Sequence, residues 1–367
     1  MAKVYLFGYY GFGNLGDELM ARYFLSQIRE AFPETGLVLL TGDPRSLPEF
    51  GEERISRWNL PHLAKLLQPG DLLVGGGGSI FQDATSKRSL LYYLSLLSLA
   101  DRRKARVMLF GQGFGPLSAP GAWATGRALR KVRALSCRDP LSAGLLEKMG
   151  VTCDRFRVGV DPLWDLPGAG PAGLHKYKEE KKQGPRPARK KKPAAPPVIG
   201  VFLRRGREKY KYALLKAVEK EFPGSVRLFA LAPGDAFGLQ GPAAAGRHRY
   251  RPAVFLENQE QLEKACSGLS LVIGERLHGL LFAARLGVPG IGLGDDPKIT
   301  VFCRELGWPA FSWQEPDLGE KIRKALADLW PSYSHIRQET LAVRERMMAT
   351  AREDRLWFLE RIREELC

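Results

Sequence analysis

The chain has 367 residues, of which 44% are apolar and 10% aromatic. This length and composition suit two α/β domains and exclude a disordered chain. Five scattered cysteines without a CxxC pair exclude a disulfide framework or a structural zinc site, and no apolar stretch reaches the roughly 20 residues of a membrane-spanning helix. The net charge of +16 predicts an anionic partner: a nucleic acid, an anionic membrane or a phosphorylated substrate.

The first part of the chain alternates apolar runs with amphipathic stretches, which predicts a parallel, doubly wound sheet over residues 1–166. The predicted strands are Val4–Gly8, Leu37–Leu40, Asp71–Gly75, Arg106–Phe110 and Ala134–Cys137. The predicted helices are Glu18–Ala31, Lys87–Ala100, Trp123–Lys131 and Leu141–Met149. Because the chain runs from Met1 almost directly into a strand and lacks a disulfide pattern, we expect a cytoplasmic protein.

Residues 167–197 are rich in Gly, Pro, Lys and Arg and predict a flexible linker or insertion. A second alternation over 198–335 predicts another lobe of the same class, and the charged, helix-periodic residues 336–367 predict one or two helices packed on the lobes. The fold class predicted is therefore α/β, with two Rossmann-like doubly wound lobes facing across a cleft. Ligand-binding residues are expected where the strands end.

Gly11, Gly13 and Gly16 follow the first strand with the spacing GxGxxG, which is found in dinucleotide-binding folds. Asp17 and the next residue, Glu18, argue against that interpretation, because a pyrophosphate at the helix start would meet like charge. Asn14 and Asp17 are candidates for orienting sugar hydroxyls or moving protons. Simple capping of the helix explains the two acids equally well.

A second glycine-rich segment, Gly75–Ser79, follows the predicted third strand and is expected to form a loop. Glycine leaves backbone N–H groups open to a ligand, so this loop predicts a ligand cradle, although a tight crossover explains part of it. The candidate contacts here are Gly76, Gly77, Gly78, Ser79 and, slightly later, Gln82. A third segment, GQGFGP over 111–116, adds another backbone-lined wall.

Charged residues also follow predicted strands. Arg138 is a candidate clamp for a carboxylate or phosphate, with a salt bridge to its neighbour Asp139 as the alternative. Glu275, Arg276 and His278 open a predicted helix after another strand. His278 is a candidate for proton transfer or anion binding, and a histidine satisfied by backbone is the alternative. Lys298 follows the next strand and can reach a phosphate.

Five sequence blocks together resemble the polysaccharide pyruvyl transferase family, most closely its CsaB group. The blocks are GYYGFGNLGDE, LLVGGGGSIFQD, GQGFGP, SCRD and ERLHGLLFAARLGVP. The resemblance implies a GT-B-like pair of lobes that transfers pyruvate from phosphoenolpyruvate to an N-acetylmannosamine-type sugar of a lipid-linked glycan precursor, forming a ketal. It implies no metal and no cofactor, with phosphoenolpyruvate as co-substrate. Arg138, His278 and Lys298 match the family's phosphoenolpyruvate contacts.

Phosphoenolpyruvate carries a carboxylate and a phosphate, for which Arg138 and Lys298 are the expected cations. His278 is expected to bind or protonate the leaving phosphate. Asp17 and Glu275 are both candidates for protonating the enol carbon. The basic run within 175–192 departs from the family pattern; it is either a solvated linker or an attachment to an anionic membrane surface, which makes the protein peripheral at the inner membrane face.

Three other functions remain open from the sequence. A nucleotide-sugar glycosyltransferase is the first alternative, because it has similar glycine-rich strand ends. A nucleic-acid or polyanion binder is the second, although aromatic residues are sparse in the basic run and no specific nucleic acid is expected. A dehydrogenase is the weakest, since GxGxxG stands alone.

Overall fold

A computed structural model describes residues 2–151, 155–168, 197–222, 224–235 and 250–366. Residues 169–196 of the predicted linker over 167–197, with the basic run within 175–192, lie outside the described residues. The chain divides into two compact units, Met1–Asp165 with Arg346–Cys367 (unit 1) and Leu166–Glu345 (unit 2). None of the helices in the described ranges is long and apolar enough to cross a bilayer.

Unit 1 is built on a sheet whose described strands are all parallel. They are β1 (Val4–Phe7), β2 (Leu37–Thr41), β3 (Glu53–Ser56), β4 (Leu72–Phe81), β5 (Arg106–Phe114), β6 (Ala134–Cys137) and β7 (Phe156–Val158). Their order is β3-β2-β1-β4-β5-β6-β7, so the direction of winding reverses between β1 and β4. Such a reversal opens a crevice at the carboxyl ends of the two strands, where α/β proteins of this kind bind ligands.

Helices connect these strands. They are α1 (Leu15–Ala31), α2 (Leu60–Leu66), α3 (Lys87–Arg102), α4 (Ala119–Leu129) and α5 (Pro140–Lys148). The apolar run after Lys87 forms a core helix as predicted: α3 begins at the cap Ser86, whose hydroxyl accepts from the backbone of Ser89, and it buries residues at helical spacing from Leu90 to Ala100. One face of the sheet packs against α2, α3, α4 and α5 in one apolar core.

Unit 2 has a second parallel sheet of the same kind. Its described strands are β8 (Val198–Phe202), β9 (Ser225–Ala230), β10 (Tyr250–Phe255), β11 (Leu271–Gly274), β12 (Gly290–Leu293) and β13 (Ala310–Phe311). Their order is β10-β9-β8-β11-β12-β13, which puts the reversal between β8 and β11. The predicted class of two doubly wound, parallel-sheet α/β domains is confirmed.

The described helices of this half include a long one that ends in unit 1. They are α6 (Glu208–Glu221), α7 (Gln259–Ser267), α8 (Leu277–Arg285), α9 (Pro297–Glu305), α10 (Leu318–Leu329) and α11 (Tyr333–Leu366). The sequence predicted one or two helices at the carboxyl terminus, and the structure has the single continuous helix α11.

The predicted loop over Gly75–Ser79 is wrong, because these residues lie inside β4. The strand goes on pairing with β5, which itself extends to Phe114 instead of ending at Phe110, and the register shifts only between Gly78 and Phe81. The glycines serve packing: a Cβ on Gly77 would lie 2.5 Å from the Met20 sulfur of α1, and its φ of +70° also favours glycine. The close approach of α1 accounts for Gly77 and contributes to Gly76, whereas Leu109 of β5 and Phe7 of β1 leave no room for a side chain at Gly75.

Candidate functional site

The loop between β1 and α1 binds a carboxylate of its own chain. Glu18 Oε1 accepts hydrogen bonds from the backbone nitrogens of Gly11, Phe12 and Gly13 at 2.9, 3.0 and 3.1 Å. Burial raises the pKa of Glu18 even though these N–H donors act in the opposite direction. The GxGxxG loop therefore directs three of its donors at Glu18, so they are not open to a pyrophosphate.

Asn14 and Asp17 lie together next to this loop. Asn14 is the N-cap residue of α1, but its side chain makes no capping bond and instead donates to the carboxylate of Asp17. A Cβ on Gly78 would lie 3.6 Å from Asp17 Oδ1, so the carboxylate stands beside the glycine segment of β4. Gly13 is exposed, whereas Gly16 is buried in the first turn of α1. The structure thus brings Asn14, Asp17 and Gly78 together at the reversal of unit 1.

Arg138, directly after β6, is buried with only 6% of its surface exposed. Its Nη1 donates to Asp161 Oδ2 at 3.0 Å, its Nη2 donates to Ser79 Oγ at 2.7 Å, and its Nε lies 3.7 Å from Asp139 Oδ2. Arg138 is therefore a fixed cation between two carboxylates rather than a surface salt bridge. A guanidinium has five N–H donors, so hydrogens on Nη1 and Nη2 remain beyond these two bonds.

Gly113 of β5 completes this cluster. A Cβ at this position would lie 2.6 Å from Ser79 Oγ and 3.0 Å from Arg138 Nη2. Ser79 and Arg138 therefore meet over the bare backbone of Gly113. Gln82 is not part of this group, because its side chain binds Thr85 in a local turn. Gly76 is packed under the Tyr10 hydroxyl, which donates to its carbonyl.

In unit 2, Glu275 follows β11 and is 7% exposed. Its Oε1 accepts from the backbone nitrogen of Arg204 at 2.5 Å, and its Oε2 accepts from Trp313 Nε1 at 2.6 Å. Burial raises the pKa of Glu275, against the effect of these donors. A carboxyl with a raised pKa keeps its proton to higher pH, which is a requirement for a general acid.

Arg276 and His278 occupy the beginning of α8. Arg276 is the N-cap residue and makes a two-pronged contact with the buried Asp235, at 2.9 and 2.7 Å. His278 is half-buried in the first turn. The structure thus places Glu275 and His278 at the reversal of unit 2 and commits Arg276 to holding the segment around Asp235 in place.

Lys298 lies in the first turn of α9, after β12. Its Nζ is 2.8 Å from Asp296 Oδ2, and Arg204 Nη2 is 3.6 Å from the same oxygen. Burial alone would raise the pKa of Asp296, but Lys298 and Arg204 outweigh burial and hold the pKa below its ordinary value. Asp296 therefore draws together cations from the ends of β8 and β12.

Sequence reasoning missed the arginines after β8. Arg204 and Arg205 come directly after Leu203, at the reversal of unit 2, and Arg205 is exposed. The sequence RRGR comes immediately after an apolar strand. A cation at the end of a strand is a candidate ligand-binding residue there, just as Arg138 is after its own strand. Sequence reasoning missed Asp161 as well, since no local pattern links that residue to Arg138.

Metal-ligating residue types do not converge in the described part of the chain, which contains no group of three or more His, Cys, Asp and Glu side chains suited to a metal ion. The charged groups after β6, β8 and β12 are instead cations with carboxylate partners, whereas the reversal of unit 1 carries the acids Asp17 and Glu18. This arrangement suits binding of an anion by arginine and lysine side chains.

The sequence matches the polysaccharide pyruvyl transferase family over residues 14–297, which is more than half of the chain. The chain belongs to this family. The match runs from Asn14 through the regions of Arg138 and His278 to Pro297, just before Lys298. A comparison with proteins of curated function gives no significant match.

Solved structures with the same two-domain α/β fold match the whole chain. The Anabaena protein Alr3699/HepE in complex with UDP-glucose has a TM-score of 0.62 at 13% identity, with 100% of this chain and 99% of that chain covered. The UDP-GlcNAc 2-epimerase of Neisseria meningitidis bound to UDP-GlcNAc gives 0.61 at 13% identity and the same coverage. The wall teichoic acid polymerase TagF gives 0.58 at 13% identity, with 99% and 88% covered. At these identities the likeness shows the GT-B fold class alone.

Proposed function

We propose that this member of the family transfers pyruvate from phosphoenolpyruvate to a sugar of a glycan, forming a cyclic ketal. The family match over residues 14–297 carries the proposal. Arg138 in unit 1 and the cations around Asp296 in unit 2 support it, because each by itself is suited to an anionic group of the kind that phosphoenolpyruvate carries. The finer assignment, a CsaB-type enzyme acting on an N-acetylmannosamine of a lipid-linked precursor, is part of this proposal.

The reaction proceeds through the enol carbon. A general acid protonates the CH₂ carbon of phosphoenolpyruvate, which leaves an oxocarbenium centre at C2. One sugar hydroxyl adds to C2 and gives up its proton to a base. The C2–O bond to phosphate then breaks as a general acid protonates the phosphate, and a second sugar hydroxyl adds to C2 and returns its proton to that acid. One phosphoenolpyruvate and one sugar diol thus give one ketal and one inorganic phosphate.

The side chains of this chain divide those tasks. Arg138 binds the carboxylate, Lys298 binds the phosphate, and His278 protonates the phosphate as it leaves. Arg204, which shares the carboxylate of Asp296 with Lys298, is the second cation. Glu275, whose pKa burial raises, and Asp17 are the two candidates for the acid that protonates carbon. Asn14 and Asp17 orient the sugar hydroxyls.

The proposal extends to the surroundings of the enzyme. A lipid-linked acceptor lies at a membrane, and a net charge of +16 attracts the chain to an anionic bilayer surface. We infer a peripheral association at the cytoplasmic face, with no specific nucleic acid as a partner. Flotation with vesicles of anionic lipid at low and high salt tests this part separately, because electrostatic attachment weakens as salt rises.

The test of the reaction is phosphate release from phosphoenolpyruvate with and without an N-acetylmannosamine-containing disaccharide. We compare wild type with Lys298→Ala and use Arg304→Ala as the control, because Arg304 is an exposed cation at the opposite end of the same helix, α9. Acceptor-dependent release that falls at least about ten-fold in Lys298→Ala and not in Arg304→Ala supports the proposal. Consumption of a UDP-sugar in place of phosphoenolpyruvate would assign the chain to the glycosyltransferases instead.

A further inference from the structure

Unit 1 carries a group of aromatic side chains at the carboxyl edge of its sheet. We define this aromatic platform as Tyr9 and Phe12 in the loop after β1, Trp58 after β3, and Tyr92 in α3. Tyr9 and Trp58 are 41% and 65% exposed. Tyr9 and Phe12 stack with their ring centres 4.4 Å apart, and Trp58 lies 6.0 Å from Tyr92. Large exposed rings grouped in this way mark a binding surface more often than single exposed apolar residues do.

A buried arginine holds the platform together. Arg57 is 3% exposed, and its guanidinium carbon lies 4.1 Å from the ring centre of Tyr92, 5.0 Å from that of Trp58 and 5.3 Å from that of Phe12. No carboxylate of the described residues forms an ion pair with it. The Arg57 guanidinium is stabilised by the rings and by a 3.2 Å hydrogen bond to the Tyr93 hydroxyl. The position of Arg57 therefore fixes the positions of the rings around it.

Hydrogen bonds from buried side chains also fix the loop that bears Tyr9 and Phe12. The hydroxyl of Tyr93 donates to the carbonyl of Gly8 at 3.0 Å, and Glu18 accepts from the backbone nitrogen of Phe12 at 3.0 Å. The exposed rings are thus anchored before any ligand arrives. Binding to a preformed surface avoids the entropic cost of ordering side chains.

The charges beside the platform favour a neutral ligand. Glu18 occupies the N–H groups of the adjacent loop, so the phosphates of a nucleotide stacked on these rings would find a carboxylate there. Asp17 adds negative charge on the same edge, which also disfavours anionic lipid headgroups, whereas the carboxylate of Asp43 is paired with Arg45. A pyranose ring suits both the aromatic rings and the polar side chains beside them. Its C–H face is apolar, and the hydroxyls on its rim bind carboxylates and amides.

We propose that the aromatic platform is the subsite for a sugar ring of the glycan acceptor. The ring stacks on Trp58 and Tyr9, and its hydroxyls point toward Asn14 and Asp17 of the same loop region. This inference rests on the proposed transfer to a glycan and adds the residues that recognise the acceptor. Trp58 and Tyr9 are then binding residues, distinct from the cations that hold phosphoenolpyruvate.

The test measures sugar binding without the reaction. Saturation-transfer NMR with an N-acetylmannosamine-containing disaccharide, in the absence of phosphoenolpyruvate, compares wild type with Trp58→Ala, Tyr9→Ala and Trp58→Phe. Trp123→Ala is the matched control, because Trp123 is 71% exposed in the same unit and also has an arginine, Arg127, 5.9 Å from its ring centre. Thermal unfolding of each variant confirms that it folds.

Loss of one stacking ring is expected to weaken sugar binding at least about ten-fold in Trp58→Ala and Tyr9→Ala. Trp58→Phe should recover part of the loss and Trp123→Ala should bind as wild type. Where turnover is measured, the KM for acceptor should rise and the KM for phosphoenolpyruvate should not.

Either hypothesis can fail alone. If Trp58→Ala binds the sugar as wild type does, or if wild type does not bind it, the platform proposal is overturned, whatever happens to phosphoenolpyruvate. If the sugar signals depend on Trp58 and no variant or wild type releases phosphate from phosphoenolpyruvate, the platform stands and the proposed function fails.

Discussion

Glu18 Oε1 lies 3.1 Å from the backbone nitrogen of Gly13, and two further loop nitrogens donate to the same oxygen. The other oxygen of Glu18 is buried without a hydrogen-bond partner among the described residues. A glycine loop with dinucleotide spacing is thereby closed by a carboxylate of the following helix. The same sequence pattern in an open loop would bind a phosphate, so the residue two positions after the last glycine decides what the loop does.

Glu18→Gln should make this contact independent of pH. The pKa of Glu18 is raised in the folded protein, so the folded state holds the proton more tightly than the unfolded chain does. Wild type should therefore lose stability relative to Glu18→Gln as pH rises above about 4.5, the ordinary pKa of a glutamate. Urea unfolding of both proteins across that range measures the difference. A difference that stays constant with pH would show that Glu18 does not titrate with a raised pKa.

Arg138→Ala should destabilise the protein strongly, because it leaves the buried Asp161 without its guanidinium. Removing one partner of a buried pair costs about 3–5 kcal/mol, whereas Ser79→Ala removes one hydrogen bond to a charged group and should cost about 1.5–3 kcal/mol. Chemical denaturation measures both free energies of unfolding. Equal, small losses in the two variants would mean that Arg138 is not fixed by Asp161.

Gly113→Ala tests the arrangement of Ser79 and Arg138 without removing either. The added methyl would lie 2.6 Å from Ser79 Oγ, so Arg138 must shift, and phosphoenolpyruvate turnover should fall at least about ten-fold. The control is Gly144→Ala, since a Cβ on Gly144 meets nothing within 4 Å and alanine suits the helix interior, with a gain of up to about 1 kcal/mol. Unchanged turnover in Gly113→Ala would show that the reaction does not depend on the position of Arg138.

The fold class and most elements could be predicted from the sequence because hydrophobic periodicity is local information. The helix from Lys87 and the strand β1 follow from it directly. The end of β4 could not be predicted, because its glycines fit β5 on one side and Met20 of α1 on the other, and both contacts depend on tertiary packing. Turn signals and packing glycines look alike in a sequence.

The candidate site could be predicted only as single residues. A charged residue after an apolar strand is visible, so Arg138, Glu275 and Lys298 were found. What each one touches is not visible: Asp161 lies 23 positions after Arg138, and Trp313 lies 38 positions after Glu275. Arg57 was missed for the same reason, since its partners are rings from three separate segments.

Trp313→Phe should reveal the charge on Glu275. The indole N–H donates to Glu275 Oε2 at 2.6 Å and lowers the pKa of a carboxyl that burial raises, so its loss should raise the pKa of Glu275 further. Removing a donor from a buried carboxylate should cost about 1.5–3 kcal/mol when Glu275 is ionised and less when it is protonated. The penalty should therefore grow as pH rises through the pKa of Glu275.

The matched control is Trp308→Phe, in which an equally buried indole loses a 3.0 Å bond to the neutral Thr340 hydroxyl. Its cost of about 0.5–1.5 kcal/mol should not change with pH, because neither partner ionises. Urea unfolding of the two variants against wild type between about pH 5 and 8, where most proteins are at their most stable, measures both penalties. If the Trp313→Phe penalty is as flat as that of Trp308→Phe, Glu275 does not change its protonation in this range. A flat penalty of about 1.5–3 kcal/mol would mean that Glu275 stays ionised throughout, which would leave Asp17 as the candidate for the acid that protonates the enol carbon. A flat penalty well below that would mean that Glu275 stays protonated and remains a candidate.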